Sequence, residues 1–172
     1  MDLTDSGSAE KTGFPDFRPA KETDIDAVND LYGIVKGRPF CVWDSEYPGL
    51  QEIKQDIAAD DLFVMVCSGR IIGAISIEPE NETDDLECWS SKRKAGEFAR
   101  VVIHPDFQGR HLARVLVENL LKVMKRRGYE NVHISVALDN IPAQKLYRGL
   151  GFKTVDRREL WGHMYYLCEL KL

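Results

Sequence analysis

Residues 97–113 constrain the fold of this chain more than any other stretch. Glu97-Phe98-Ala99-Arg100-Val101-Val102-Ile103 reads as an apolar strand, and Pro105 sits in the turn that ends it. Gln108-Gly109-Arg110-His111-Leu112-Ala113 then opens a helix expected to run from about Gly109 to Arg127. Its apolar positions Leu112, Leu116, Leu120 and Val123/Met124 recur at helical spacing, and Gly128 is a natural stop. A helix that starts directly after a strand presents free N–H groups and a positive dipole end, so it can hold an anion without side-chain charge. Gly109 supplies the turn, Ala113 is small where backbone would meet phosphate, and Arg110 and Arg114 add charge.

The remaining elements follow from periodicity and punctuation. Phe17-Arg18-Pro19-Ala20 ends a first short strand. Thr23 is the expected cap of a helix with Ile25, Val28, Leu31 and Tyr32 on one face. Residues 38–49 read as loop, and a second amphipathic helix carries Leu50, Ile53 and Ile57. Leu62–Cys67 and Ile71–Ile77 form a hairpin about Ser68-Gly69-Arg70. Pro79 to Gly96 is a polar connection of a length expected to be functional or mobile. Val132–Leu138 is a strand, and Asn140 caps a short helix with Pro142 in its first turn. Phe152–Val155 and Met164–Leu170 are expected to pair antiparallel across a longer loop. The order is β-α-α-β-β-β-α-β-α-β-β, which implies an α+β sheet with helices on both faces. Residues 1–15 read as a frayed tail, and 16–172 as a single domain.

Composition narrows the function classes. With 44% hydrophobic and 30% charged residues, the chain is an ordinary globular one. No apolar run approaches the roughly 20 residues that span a bilayer, and the polar N-terminus carries no signal or transit pattern, so a cytoplasmic location and no membrane partner are expected. The four cysteines lack C-x-x-C spacing and the four histidines are dispersed, which argues against a metal site or a disulfide framework. Residues 1–90 hold 20 acidic and 7 basic residues, whereas residues 91–172 hold 8 and 16. The basic half suits a polyanion and the acidic half a cationic amine. No basic stripe is interleaved with aromatics, so nucleic acid is not expected as a partner. Phosphate loops of the G-x-x-x-x-G-K-[ST] type and dinucleotide G-x-G-x-x-G fingerprints are absent from the sequence.

Two motifs together resemble the acetyl-CoA site of the GNAT acyltransferases. In that family the first reads Gln/Arg-x-x-Gly-x-Gly/Ala, and here it is complete except that His111 stands where glycine is usual. The second reads Asn-x-x-Ala-x-x-Leu-Tyr-x-x-x-Gly-Phe and is complete from Asn140 through Ala143, Leu146 and Tyr147 to Gly151-Phe152. The resemblance implies a mixed, mostly antiparallel central sheet. It also implies acetyl-CoA as co-substrate, without metal, and direct transfer of acetyl to a primary amine of a small molecule or peptide with no covalent enzyme intermediate. Val101, Val102 and Ile103 would pair with the pantetheine amides along a splayed strand. Gln108 to Arg114 (Gly109, Arg110, His111, Leu112 and Ala113 included) would cradle the phosphates, with His111 crowding the pyrophosphate or donating to it. Asn140 would contact the cofactor arm, and Tyr147 would protonate the leaving thiolate.

Such a transfer also needs a base for the ammonium. Glu97 lies 11 residues before Gln108, a spacing similar to that of a catalytic Glu in histone-acetylating members, and Glu78 is a weaker rival. Ribosomal-protein-acetylating members carry a Glu base 12 residues before the motif Tyr, and Ser135 stands there instead. For the acceptor, Trp43, Tyr47 and Trp161 with Asp44 and Glu46 could form a cage for a cation, or pack the loop onto the core. A non-catalytic acyl-CoA-binding regulatory module of the same fold is the alternative reading, and a homodimer is open because many family members dimerise.

Overall fold

The computed structural model describes residues 13–172, so of the N-terminal stretch read as frayed, residues 1–12 lie outside the described residues. The elements are β1 (Asp16–Pro19), α1 (Ile25–Val35), α2 (Leu50–Ala58), β2 (Leu62–Cys67), β3 (Arg70–Glu78), β4 (Ala95–Ile103), α3 (Leu112–Arg126), β5 (Asn131–Ala137), α4 (Ile141–Gly149), β6 (Lys153–Leu160) and β7 (His163–Lys171). Their order is the one that periodicity predicts. The seven strands form one sheet in the order β1-β2-β3-β4-β5-β7-β6. Every neighbouring pair is antiparallel except β4 and β5, which run parallel.

Alternation along the strands sends side chains to two cores on opposite faces. From β2, Leu62 and Val64 pack with Val28, Leu31 and Tyr32 of α1 and Ile53 of α2. Phe63 and Met65 point the other way, to Leu116, Leu120 and Met124 of α3 and Tyr147 of α4. β4 breaks this parity. Phe98 lies in the α3/α4 core and Val102, four residues on, lies in the α1/α2 core. The cause is a bulge: Ser76 pairs with Ala99 and Ala74 with Val102, so three steps on β4 face two on β3. Arg100 is in that bulge with φ at 54°, a left-handed value that a non-glycine residue rarely adopts.

What holds the bulge is charge. Arg100 is 7% exposed. Its guanidinium donates to both oxygens of Asp56 (3.1 and 3.0 Å), to Glu78 Oε1 and to the Tyr47 hydroxyl (2.9 Å). Ser76 Oγ donates to Asp56 as well, at 2.7 Å. Burial works against the Arg100 charge, but Glu78, Asp56 and Tyr47 hold its pKa above the ordinary value. One side chain thus ties α2, β3, β4 and the loop before α2 together.

Three local expectations are corrected. Thr23 does not cap α1. It lies in a short 3-10 turn, Glu22–Asp24, and Asp24 precedes the helix while accepting two bonds from Arg18 (2.7 and 3.0 Å). The longer loop expected before β7 is instead strand: β6 reaches Leu160 and a two-residue turn, Trp161-Gly162, joins it to His163. Both turn residues have positive φ (50° and 78°), as tight hairpins require, and β6 is a sheet edge where charged residues are at home. The connection from Pro79 to Lys94 is pinned rather than loose. Trp89 is buried, stacks on His133 at 4.0 Å and donates from Nε1 to Thr83 O at 2.7 Å.

Replacing Arg100 with Met would leave Asp56 and Glu78 without their cation. The expected loss is about 3 kcal/mol or more, read from urea unfolding; a loss below about 1 kcal/mol would mean that the bulge is held by packing alone.

Candidate active site

β4 and β5 pair only at Ala95–Asn131, Gly96–Val132 and Glu97–His133. Beyond Glu97 they part, just where the bulge bends β4, and the edge of β4 that faces β5 is open from Phe98 to Ile103. The wedge between the strands leads into a cleft of about 1770 Å³, lined by the open edge of β4, the start of α3, one side of α4 and the loop before α2. Val101, Val102 and Ile103 all line it, although Val102 and Ile103 are themselves buried.

The start of α3 forms the end of the wedge. No side chain caps this helix, so its first N–H groups are open toward the cleft at Leu112 and Ala113, which line it. His111 occupies the cap position with φ at 60° and ψ at 13°. That explains why glycine suits the position: the backbone is left-handed there, which glycine tolerates freely and histidine tolerates better than most residues. The His111 side chain is exposed and lines the cleft, so it does not fill the turn. Gly109 is left-handed too, at φ 74°, and a Cβ there would meet nothing within 4 Å. Gln108 turns inward and donates from Nε2 to Ile103 O at 2.9 Å, so its side chain locks the strand to the helix start. Arg110 departs from the expected cradle: its guanidinium lies over the Phe107 ring, 5.4 Å from the centroid, and it is not a cleft residue. Arg114 lines the cleft but is shared with Glu118, one turn on, at 2.8 Å.

α4 supplies the opposite wall. Asn140 caps it, its Oδ1 accepting from Ala143 N at 3.1 Å, and its Nδ2 donates to Phe40 O at 3.3 Å. Tyr147 is buried among Phe98 and Phe152, with ring centroids 5.6 and 5.8 Å away. Its hydroxyl makes no hydrogen bond among the described residues, and burial, then the nearby Glu97, raise its pKa. The phenol therefore keeps its proton across the working pH range.

Glu97 is 8% exposed at the point where β4 and β5 part. Asn81 Nδ2 donates to its Oε2 at 2.8 Å, and the Ser135 N–H reaches Oε1 at 3.4 Å. Burial, with the Glu78 carboxylate adding to it, pushes its pKa up to about 8 against the lowering pull of the Ser135 N–H. Glu78, the rival base, is committed to Arg100. Of the candidate cage residues, Trp43, Asp44, Tyr47 and Trp161 line the cleft, and each has other contacts. Trp43 packs edge-on against Tyr32 at 5.3 Å, and the Asp44 carboxylate is taken by the N–H groups of Glu46 and Tyr47 (2.8 and 2.7 Å). Trp161 donates to Glu82 at 3.0 Å, and Glu46 does not line the cleft.

Asn81 and Arg100 are the site residues that sequence reasoning missed. A lone arginine inside an apolar strand was the available signal for one. Asn81 gave none, because its partner is 16 residues away across an irregular connection.

The model of the Acetyltransferase (GNAT) family matches residues 28–152. This chain belongs to that family. Among similar proteins, an uncharacterized N-acetyltransferase of Methanocaldococcus jannaschii is 28% identical over 105 residues, 61% of this chain and 44% of its own. An N-alpha-acetyltransferase of Sulfurisphaera tokodaii is 25% identical over 142 residues, 81% of this chain and 80% of its own. The chain spans less than half the length of the first curated relatives that it matches. A putative acetyltransferase of Salmonella typhimurium, solved with its cofactor acetyl-CoA, superposes with a TM-score of 0.73 at 18% identity, covering 92% of this chain and 94% of that one. That likeness shows the GNAT fold. Among the described residues no group of three or more His, Cys, Asp or Glu could hold a metal, and no helix is long and apolar enough to cross a membrane.

Two outcomes follow from this geometry. His111→Gly should keep the fold and bind CoA at least as well, whereas His111→Val, β-branched in a left-handed turn, should lose about 1–2 kcal/mol in urea unfolding; equal stability of the two would remove the conformational reason for glycine. Glu97 holds a proton in the folded state that the unfolded chain, with its ordinary value of 4.5, releases earlier. Stability should therefore fall as pH rises from about 4.5 to about 8 and level off above that. Glu97→Gln should remove this slope and leave the protein more stable than the parent at pH 8.

Proposed function

We propose that the protein is an N-acetyltransferase that passes an acetyl group from acetyl-CoA directly to a primary amine of a small molecule or peptide. The observation that carries this reading is a convergence. The open β4 edge, the uncapped start of α3, Tyr147 and Glu97 all line one continuous cleft.

Acetyl-CoA supplies the activated acetyl group as a thioester. The residues present fit it: the α3 N-terminus with Gly109, His111, Leu112 and Ala113 offers N–H groups and a positive dipole end to the pyrophosphate. The unpaired edge at Val101, Val102 and Ile103 offers backbone groups to the pantetheine amides, as a sheet edge does to a peptide. Gln108 supports this cradle from behind, and Arg110 adds charge only from outside. Arg114 and Asn140 border the same path.

Glu97 takes the proton from the amine. With its pKa at about 8 it is matched to that task, since a base poised near the working pH combines adequate carboxylate with proton affinity. Tyr147, still protonated, returns a proton to the departing sulfur. Ser135, at the position where ribosomal-protein-acetylating members carry a Glu, meets Glu97 through its N–H. Glu97 thus brings a carboxylate beside Ser135 from the neighbouring strand. The name of the Sulfurisphaera relative, which shares most of the chain, points to an α-amine as acceptor.

Thermal unfolding with acetyl-CoA, CoA, ATP or NAD at matched concentration tests the cradle. A ligand at 100 times its Kd stabilises by about 2.7 kcal/mol, so only acetyl-CoA and CoA should raise Tm; no shift would end this reading. An amine screen for released thiol then finds the acceptor. Tyr147→Phe keeps the ring packing and should lower kcat by about 100-fold or more with CoA affinity unchanged. Equal losses in both would strip Tyr147 of the acid role.

A further inference from the structure

The connection between β3 and β4 is longer than two neighbouring antiparallel strands need, and the chemistry above leaves it without a task. It is nevertheless built with care around one side chain. Asn81 Oδ1 accepts from Thr83 N at 2.7 Å and from Thr83 Oγ1 at 2.6 Å. Those two donors fill both lone pairs of the amide oxygen, and the backbone N–H cannot be anything but a donor. The orientation of the amide is therefore fixed, with Nδ2 toward Glu97 Oε2 at 2.8 Å. Thr83 is itself locked: it is 1% exposed, and its carbonyl accepts from Trp89 Nε1 at 2.7 Å. Trp89 is stacked on His133 of β5, whose Nε2 meets Ser91 O at 3.0 Å. A continuous chain of contacts thus runs from β5 through Trp89, Thr83 and Asn81 to the carboxyl group.

We propose that Asn81 is a positioning residue for the acetyl transfer: its amide holds Glu97 by Oε2, so that the proton of the incoming amine is taken at Oε1. This rests on the reading of Glu97 as the base. Oε2 is the firmly held oxygen, 2.8 Å from Asn81 Nδ2, while Oε1 has only the long 3.4 Å bond from Ser135 N and so is the weaker-held acceptor; Glu97 and Ser135 both line the cleft. In the step, the N–H bond of the ammonium breaks, its electron pair stays on nitrogen for attack, and the proton forms an O–H bond at Oε1; Asn81 is unchanged. The same hydrogen bond favours the carboxylate over the acid. It works against burial and against the charged neighbours Glu78 of β3 and Asp84 of the connection, whereas Arg100 of β4 assists it. Tyr147 of α4 faces Glu97 in its neutral form, and His133, opposite Glu97 on β5, is kept uncharged by burial.

The test is a carbon-13 NMR titration of the Glu side-chain carboxyls in the full chain, with Glu97 identified by its loss in Glu97→Gln. Asn81→Ala should raise the Glu97 midpoint by about one pH unit, an approximately tenfold smaller carboxylate fraction at pH 7. Thr83→Val, which removes one of the two clamps on the Asn81 amide, should move it the same way by less, and serves alone if Asn81→Ala does not fold. With the best acceptor of the amine screen, the rising limb of kcat/KM against pH should shift by the same amount. A Glu97 midpoint that coincides with that of the parent in the variants would overturn the proposal while leaving Glu97 as base. A rising limb that survives in Glu97→Gln would instead remove the base reading itself, whatever the titration shows.

Discussion

The bulge at Arg100 is the constraint on which the rest of the structure depends. One extra residue in β4 reverses the parity of its side chains, so that Phe98 serves the core under α3 and α4 and Val102 the core under α1 and α2. It also bends the strand away from β5 immediately after Glu97. Without it the two strands could continue to pair, and the backbone edge that opens the cleft would be consumed by the sheet. A left-handed φ and a buried guanidinium are both unfavourable taken singly. Here each secures the other, because the side chain that bonds to Asp56, Glu78 and Tyr47 can reach them from the bulged backbone.

How far this could be read from the sequence depends on the range of the interaction. Asn140 as a cap, Gly109 in a turn and the apolar face of α3 are decided within a few residues, and each is found where the pattern places it. The same holds for the order of the elements. The hairpin at Trp161-Gly162 was not legible, because its strands are charged on the exposed side and neither turn residue pair nor flanks give an Asn-Gly type of signal. Arg100 is not legible because a strand can carry an arginine on a solvent face; that it points inward follows only from the bulge and from Asp56, 44 residues earlier. Spacing singles out Glu97, but its raised pKa follows from burial and from Glu78 on the neighbouring strand, which no local window contains.

The two buried acidic neighbourhoods of the cleft divide the work by their partners. Asp56 and Glu78 have a guanidinium between them, so they serve as structural counter-charges. Glu97 has neutral N–H donors and no cation of its own, and so it retains a proton to about pH 8. Arg100 lowers the Glu97 pKa only weakly, whereas Glu78, paired with Glu97 across β3 and β4, raises it more. Neutralising Glu78 with Arg100 therefore does two things together. It holds the bulge, and it leaves Glu97 as the carboxyl of the pair without a cation of its own.

This arrangement also bears on how the site handles a charged acceptor. Burial beside the apolar Phe98 and Tyr147 rings raises the Glu97 carboxyl pKa and would lower that of an alkyl ammonium brought beside it. The two pKa values shift toward one another, and transfer of the proton from nitrogen to oxygen becomes less uphill than in water. A carboxyl group that began at the ordinary value near 4.5 would be too weak a base for the same step. The stability sacrificed by burying Glu97 is thus the source of its basicity, and the ordered connection carrying Asn81 keeps that basicity from rising so far that the group would never be ionised.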